Sequence, residues 1–217
     1  MAAGLASATA GAAAGTIGWR VWRRRQRASL PWIRSLRTDD GTGPRGSIAV
    51  VGDSLTFERI DDLVALLRGA GFGPIRADGR PGRRCAVDIA MATSGVRVVA
   101  DARAAGATPA LWLVALGQND TDLLAGAGAE HAVAAVLEAI GPEPTMWVNL
   151  WTVGDPSRWS AFNAAIAAAT ASRPHVRIAD WAAVAADHPE WFVADGLHNT
   201  PEGAAARNRF LVESATV

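Results

Sequence analysis

The chain has 217 residues, 50% hydrophobic and 19% charged, which suits one α/β domain with an appended segment and excludes wholesale disorder. A single cysteine, Cys85, excludes an internal disulfide framework and any thiolate-rich metal site. The 21 basic and 21 acidic residues cancel, but residues 1–45 hold eight arginines against Asp39 and Asp40, a net of +6 that leaves −6 on the remainder. The body therefore lacks the broad positive field that nucleic acid requires, and no nucleic-acid partner is expected.

Residues 2–19 carry no charge, and Arg20, Arg23, Arg24, Arg25 and Arg27 follow at once. Eighteen uncharged residues sit at the lower limit for crossing a bilayer, which takes about 20 at 1.5 Å each. Most are Ala, Gly, Ser and Thr, which drive insertion weakly. The charges follow the apolar stretch, the reverse of a secretory signal. The expectation is membrane contact through residues 2–27. A true span would keep the arginine cluster, and the domain after it, on the cytoplasmic side.

Residues 38–46 (TDDGTGPRG) read as a linker, dividing a segment at 1–45 from a folded domain at 46–217. Short apolar runs follow at Ile48–Val51, Pro74–Ala77, Ala110–Leu116, Met146–Leu150 and Val176–Ala179. Helical stretches lie between them near 57–70, 86–104, 121–139 and 157–172, with a last one near 201–213. Strand–helix alternation with strands apolar throughout predicts a three-layer α/β/α, flavodoxin-like domain around a five-stranded parallel sheet.

Ligands of an open parallel sheet bind beyond the carboxyl ends of its strands, so the residues after each apolar run are the candidates. Gly52-Asp53-Ser54-Leu55-Thr56 follows the first run and Gly117-Gln118-Asn119-Asp120 the third. Asp195-Gly196-Leu197-His198 precedes the last helix. Together they supply what acyl transfer through a serine needs. Ser54 offers a hydroxyl, which is a poor nucleophile until a base takes its proton. His198 is the candidate base, and Asp195 can fix its tautomer and stabilise the imidazolium. The side-chain amide of Asn119 can donate to a developing oxyanion.

GDSL at 52–55, GxND at 117–120 and DxxH at 195–198, with a glycine in a block between the first two, resemble the SGNH (GDSL-type) hydrolase superfamily over about residues 47–213. The stretch ADWAAVAADHPEWFVADGLHNTPEGAAA at 179–206 is similar to the last block of SGNH domains attached to membrane acyltransferases of bacterial envelope glycan O-acetylation. The resemblance implies Ser54 as nucleophile, His198 as base and Asp195 as its orienter. It also implies an oxyanion hole from the Ser54 amide, Asn119 and Gly82, the last within RPGRR at 80–84. Asn199 and the arginines around Gly82 depart from that subgroup.

Other motifs fail on context. Gly41–Gly46 satisfies GxGxxG but precedes the first strand, whereas a dinucleotide fingerprint follows one. HExxH, GxxxxGK[ST] and GxSxG do not occur. No cofactor and no metal are expected. Asp53 and Asp120 read as braces of their turns, and Cys85 as a small core residue. His131, His175 and His188 lie off the converging edge. Trp151 and Thr152 follow the fourth strand and so face the site edge, where Asp53, Trp151 and Thr152 are candidates for a substrate pocket or for plain packing.

The expected activity is hydrolysis of short-chain esters, acetyl above all, with an O-acetylated carbohydrate as the expected substrate and a small molecule or glycan as partner. Two alternatives stay open: transfer of the acyl group to a glycan hydroxyl with a separate donor, and a catalytically silent glycan-binding domain.

Overall fold

The computed structural model describes residues 35–121 and 126–217. Strand β1 spans Leu36–Asp39, β2 Ile48–Gly52, β3 Ile75–Gly79, β4 Leu111–Ala115, β5 Thr145–Val148 and β6 Val176–Ala179. Helix α1 spans Ser54–Phe57, α2 Ile60–Gly69, α3 Gly95–Ala104, α4 Ala127–Ile140, α5 Ser157–Thr170, α6 Trp181–Ala185 and α7 Pro201–Thr216. The strand order is β1-β3-β2-β4-β5-β6.

β2 to β6 run parallel, and all residues of β2, β4 and β5 are buried. This is why they read as unbroken apolar runs. Their side chains alternate between two faces. Ala49, Val51, Trp112, Val114 and Trp147 pack on the side of α3, α4 and α5. Val50, Leu113, Ala115, Met146 and Val148 pack on the side of α2, α6 and α7. The result is the expected α/β/α sandwich, with its order reversing between β2 and β4. That reversal opens the crevice in which doubly wound folds place their ligands.

The sheet has six strands, not five. β1 pairs antiparallel with β3, Leu36 opposite Asp78 and Asp39 opposite Ile75. Its sequence, LRTD, is polar because an edge strand needs no apolar face, and Thr38 and Asp39 therefore belong to a strand where the composition suggested linker. Arg68 of α2 binds the Asp39 carboxylate and donates to Gly41 O at 2.9 Å. Helix α3 begins at Gly95, later than the expected 86, because Ser94 caps it by accepting from Arg97 N. Residues before the cap form an irregular turn with a bridge between Ile89 and Ala92. No described helix is long and apolar enough to cross a membrane. The stretch at 2–27 lies outside the described residues.

Candidate active site

Gly52 closes β2, and a Cβ there would fall 2.1 Å from Thr56 Oγ1. Only glycine lets the chain fold back so tightly that Thr56 packs on the strand end. Asp53 caps the following turn, accepting from Leu55 N at 3.0 Å. Ser54 thus sits at the tip of a strand-to-helix turn. Its Oγ lies 3.1 Å from His198 Nε2, across 144 residues of sequence.

His198 is held by a loop of its own making. Asp195 Oδ1 accepts from the Leu197 and His198 amides, both at 2.9 Å, and Oδ2 lies 2.7 Å from His198 Nδ1. An ionised carboxylate only accepts, so Nδ1 carries the proton and Nε2 presents its lone pair to the Ser54 hydroxyl. Gly196 permits the turn with φ +69°, and a Cβ there would meet Val153 O at 2.8 Å. Burial alone pushes the Asp195 carboxyl up, but the hydrogen bonds from His198 and Leu197 carry it below the usual range.

Gly82 occupies the third position of the turn Arg80-Pro81-Gly82-Arg83, closed by Arg83 N–H donating to Arg80 O at 3.2 Å. Its φ of +80° is what a Pro-Gly type II turn demands. The turn is fastened to the nucleophile strand from below. Arg83, 1% exposed, donates to Gly52 O at 2.9 Å, Asp78 O at 2.7 Å and Thr93 O at 3.0 Å, and pairs with the Asp78 carboxylate at 2.7 Å. Asn119 Nδ2 donates to Arg83 O at 3.0 Å. An amide carries two N–H donors, so a second remains for another acceptor.

Asp120 is fully buried and accepts from Cys85 N at 3.1 Å. Burial pushes its carboxyl up to about 6 against the opposing pull of the Cys85 hydrogen bonds. Cys85 is buried, and its surroundings, with Asp120 beside it, push the thiol well up. It is an inert core residue, as the sequence suggests.

Ser54, Gly82, Asn119, Asp195 and His198 therefore belong to one connected network at the carboxyl edge of the sheet. Asp53 is 2% exposed, and burial raises its carboxyl while Arg207, Leu55 N, His198 and Arg83 offset part of the rise. It lines a small cavity with Leu55, Gln118, Asn149, Trp151 and Arg207. Trp151 also packs on Trp159 with ring centroids 4.7 Å apart. Thr152 is half-buried and does not line that cavity. Among the described residues no group of three or more His, Cys, Asp or Glu is placed to hold a metal.

Three participants escaped the sequence reading. Arg83 and Arg207, 1% and 4% exposed, are arginines in the interior, and arginine gives no sequence signal of burial. Glu58 places Oε1 4.0 Å from His198 Nε2. Burial raises its carboxyl, while His198 and Arg207 pull it back. Its signal was available: four residues past Ser54 is one helical turn, hence the same face.

No protein-family model and no curated protein matches the sequence. Solved structures do match, and they define the fold as that of the SGNH hydrolases. A lipase/acylhydrolase from Enterococcus faecalis is 18% identical, with a TM-score of 0.64 over 78% of this chain and 95% of that one. An SGNH hydrolase described as putative, from Slackia heliotrinireducens, is 19% identical, with a TM-score of 0.60 over 78% of this chain and 98% of its own. The C-terminal catalytic domain of Streptococcus pneumoniae peptidoglycan O-acetyltransferase A is 14% identical, with a TM-score of 0.57 over 81% of this chain and 92% of that domain.

Proposed function

We propose that the chain is a serine esterase acting on short-chain esters, acetyl above all, with an O-acetylated carbohydrate as the natural substrate class. The reading rests on the unbroken chain from Ser54 Oγ through His198 to the Asp195 carboxylate. Ser54 Oγ attacks the ester carbonyl carbon as its proton passes to Nε2. The C–O bond to the alcohol then breaks, and the same proton leaves with that alcohol. Water repeats the sequence on the acyl-serine, giving its proton to Nε2, and the acid departs as Oγ recovers it. The Ser54 and Gly82 amides and the second N–H of Asn119 stabilise the tetrahedral oxyanion.

With the full chain and p-nitrophenyl acetate, Ser54→Ala and His198→Ala are each expected to lose on the order of 10⁴-fold or more in turnover. Undiminished turnover in Ser54→Ala sinks the assignment. Transfer to a sugar hydroxyl is the second reading, favoured by the O-acetyltransferase domain among the similar folds. It needs the same three residues and a drier second step.

We also read residues 2–27 as a membrane-contacting segment ahead of the folded domain. Replacing Arg20, Arg23, Arg24, Arg25 and Arg27 by Gln should then reduce co-sedimentation with anionic vesicles by several-fold. Equal sedimentation of the two forms discards that reading.

A further inference from the structure

His198 Nε2 faces two oxygen atoms, Ser54 Oγ at 3.1 Å and Glu58 Oε1 at 4.0 Å. Glu58 follows directly on α1, its amide donating to Ser54 O at 3.0 Å, so its position is tied to that of the nucleophile. Its side chain is 36% exposed, enough to meet a solvent molecule beside the imidazole. The Ser54 and Asp195 pairings account for both His198 nitrogens in the resting site. Glu58 stands outside them.

The second chemical step changes what Nε2 needs. Once Ser54 Oγ is acylated it has no proton to give, and the nitrogen must take one from the incoming acceptor. A molecule hydrogen-bonded at about 2.8 Å to two acceptors 4.0 Å apart sees them at roughly 90°. That is near the H–O–H angle of water, so one water can donate one hydrogen to Nε2 and the other to Glu58. An alcohol has a single O–H. If it gives that hydrogen to Nε2, either its alkyl group or a lone pair faces the Glu58 carboxyl, and neither can donate to it.

Resting on the esterase reading, we propose that Glu58 is a positioning residue that selects water over alcohols as the acyl acceptor. In the acyl-serine, His198 Nε2 removes one proton from the water as its oxygen bonds to the carbonyl carbon. Glu58 accepts a hydrogen bond from the other O–H and takes no proton. When the tetrahedral intermediate collapses, the C–Oγ bond breaks, Nε2 returns its proton to Ser54, and the free acid leaves.

The test is a partition measurement on the full chain. Parent, Glu58→Gln and Glu58→Ala are each given p-nitrophenyl acetate with methanol as competing acceptor, and methyl acetate and acetate are quantified. A hydrogen bond to a charged group is worth enough that Glu58→Ala should raise the methyl acetate to acetate ratio on the order of tenfold. Glu58→Gln keeps one acceptor oxygen and should fall between. A fold defect common to all turnover would lower both products together and leave their ratio alone. An unchanged ratio in both variants, with Ser54-dependent turnover intact, overturns the role of Glu58 and spares the esterase reading. Turnover that does not depend on Ser54 overturns both.

Discussion

The two halves of the candidate site are built in opposite ways. On the proposed oxyanion side, Gly82 and Asn119 hang on buried groups: Arg83, at 1% exposure, closes the turn of Gly82 and accepts from Asn119 through its carbonyl, and Asp120, at 0%, ties the Asn119 loop to Cys85 N. On the acid–base side, Asp195 and His198 ride a surface loop with side chains 29% and 14% exposed. That loop is fixed by hydrogen bonds within residues 193–198, by Val153 N–H donating to Gly196 O at 2.8 Å, and by the cap of α7, where Thr200 accepts from Gly203 N at 3.1 Å. The proposed oxyanion donors are held chiefly by buried groups, whereas the imidazole is held chiefly by a local turn. Damage should therefore spread from the first region and stay confined in the second.

The strongest test of that contrast is Arg83→Met. It strips donors from Gly52, Asp78 and Thr93 and leaves the Asp78 carboxylate, 13% exposed, without its partner. Breaking such a pair costs about 3–5 kcal/mol, so the melting temperature should fall sharply and ester turnover with it. A variant that melts like the parent would show that the arginine staple is dispensable. Asn119→Ala comes next. It removes one of the proposed oxyanion donors, and kcat should drop about 10²–10³-fold, with KM little changed in steady-state assays.

The smallest effect separates the two halves by sign. In the oxyanion half, Asp120 is held up at about 6 by burial, above its unfolded value. The folded protein therefore binds a proton between about pH 4 and 6 that the unfolded chain has released. Its contribution to stability falls as pH rises through that window. In the acid–base half, Asp195 is depressed by its hydrogen bonds from His198 and Leu197, which outweigh burial. Its contribution is present above the unfolded value and disappears as pH falls through the folded one. Thermal melts of Asp120→Asn and Asp195→Asn from pH 3 to 7 should differ from the parent with opposite pH slopes. Slopes of the same sign would remove the distinction.

How much of this was legible follows from the same physics. Among the five parallel strands, β2, β4 and β5 could be read because strands buried on both faces are apolar throughout, whereas β3 and β6 carry Arg76, Asp78 and Arg177 and were legible only from their remaining apolar residues. Ser54, Asn119, Asp195 and His198 could be read because tight turns and reactive groups fix residue type at fixed spacing. β1 could not, since LRTD is paired only by virtue of the β3 edge beside it. Arg83 and Arg207 could not, because their burial is decided by tertiary packing that an arginine in the sequence does not signal. Helix α6 was missed although Asp180 caps it, accepting from Ala183 N at 3.1 Å. Five residues are too few to show a helical period.

The antiparallel edge strand also gives the folded unit a polarity that matters for attaching it to anything. Ser35 O accepts from Gly79 N at the carboxyl end of β3, the rim that carries Ser54. At the other terminus, Thr216 O accepts from Arg45, which lies just ahead of the amino end of β2. The described unit therefore begins at the rim that carries Ser54 and ends at the opposite one. Cargo or a solid support joined after Val217 would leave the mouth of the site clear, whereas the same load spliced in front of Ser35 would crowd the approach of a polymeric substrate.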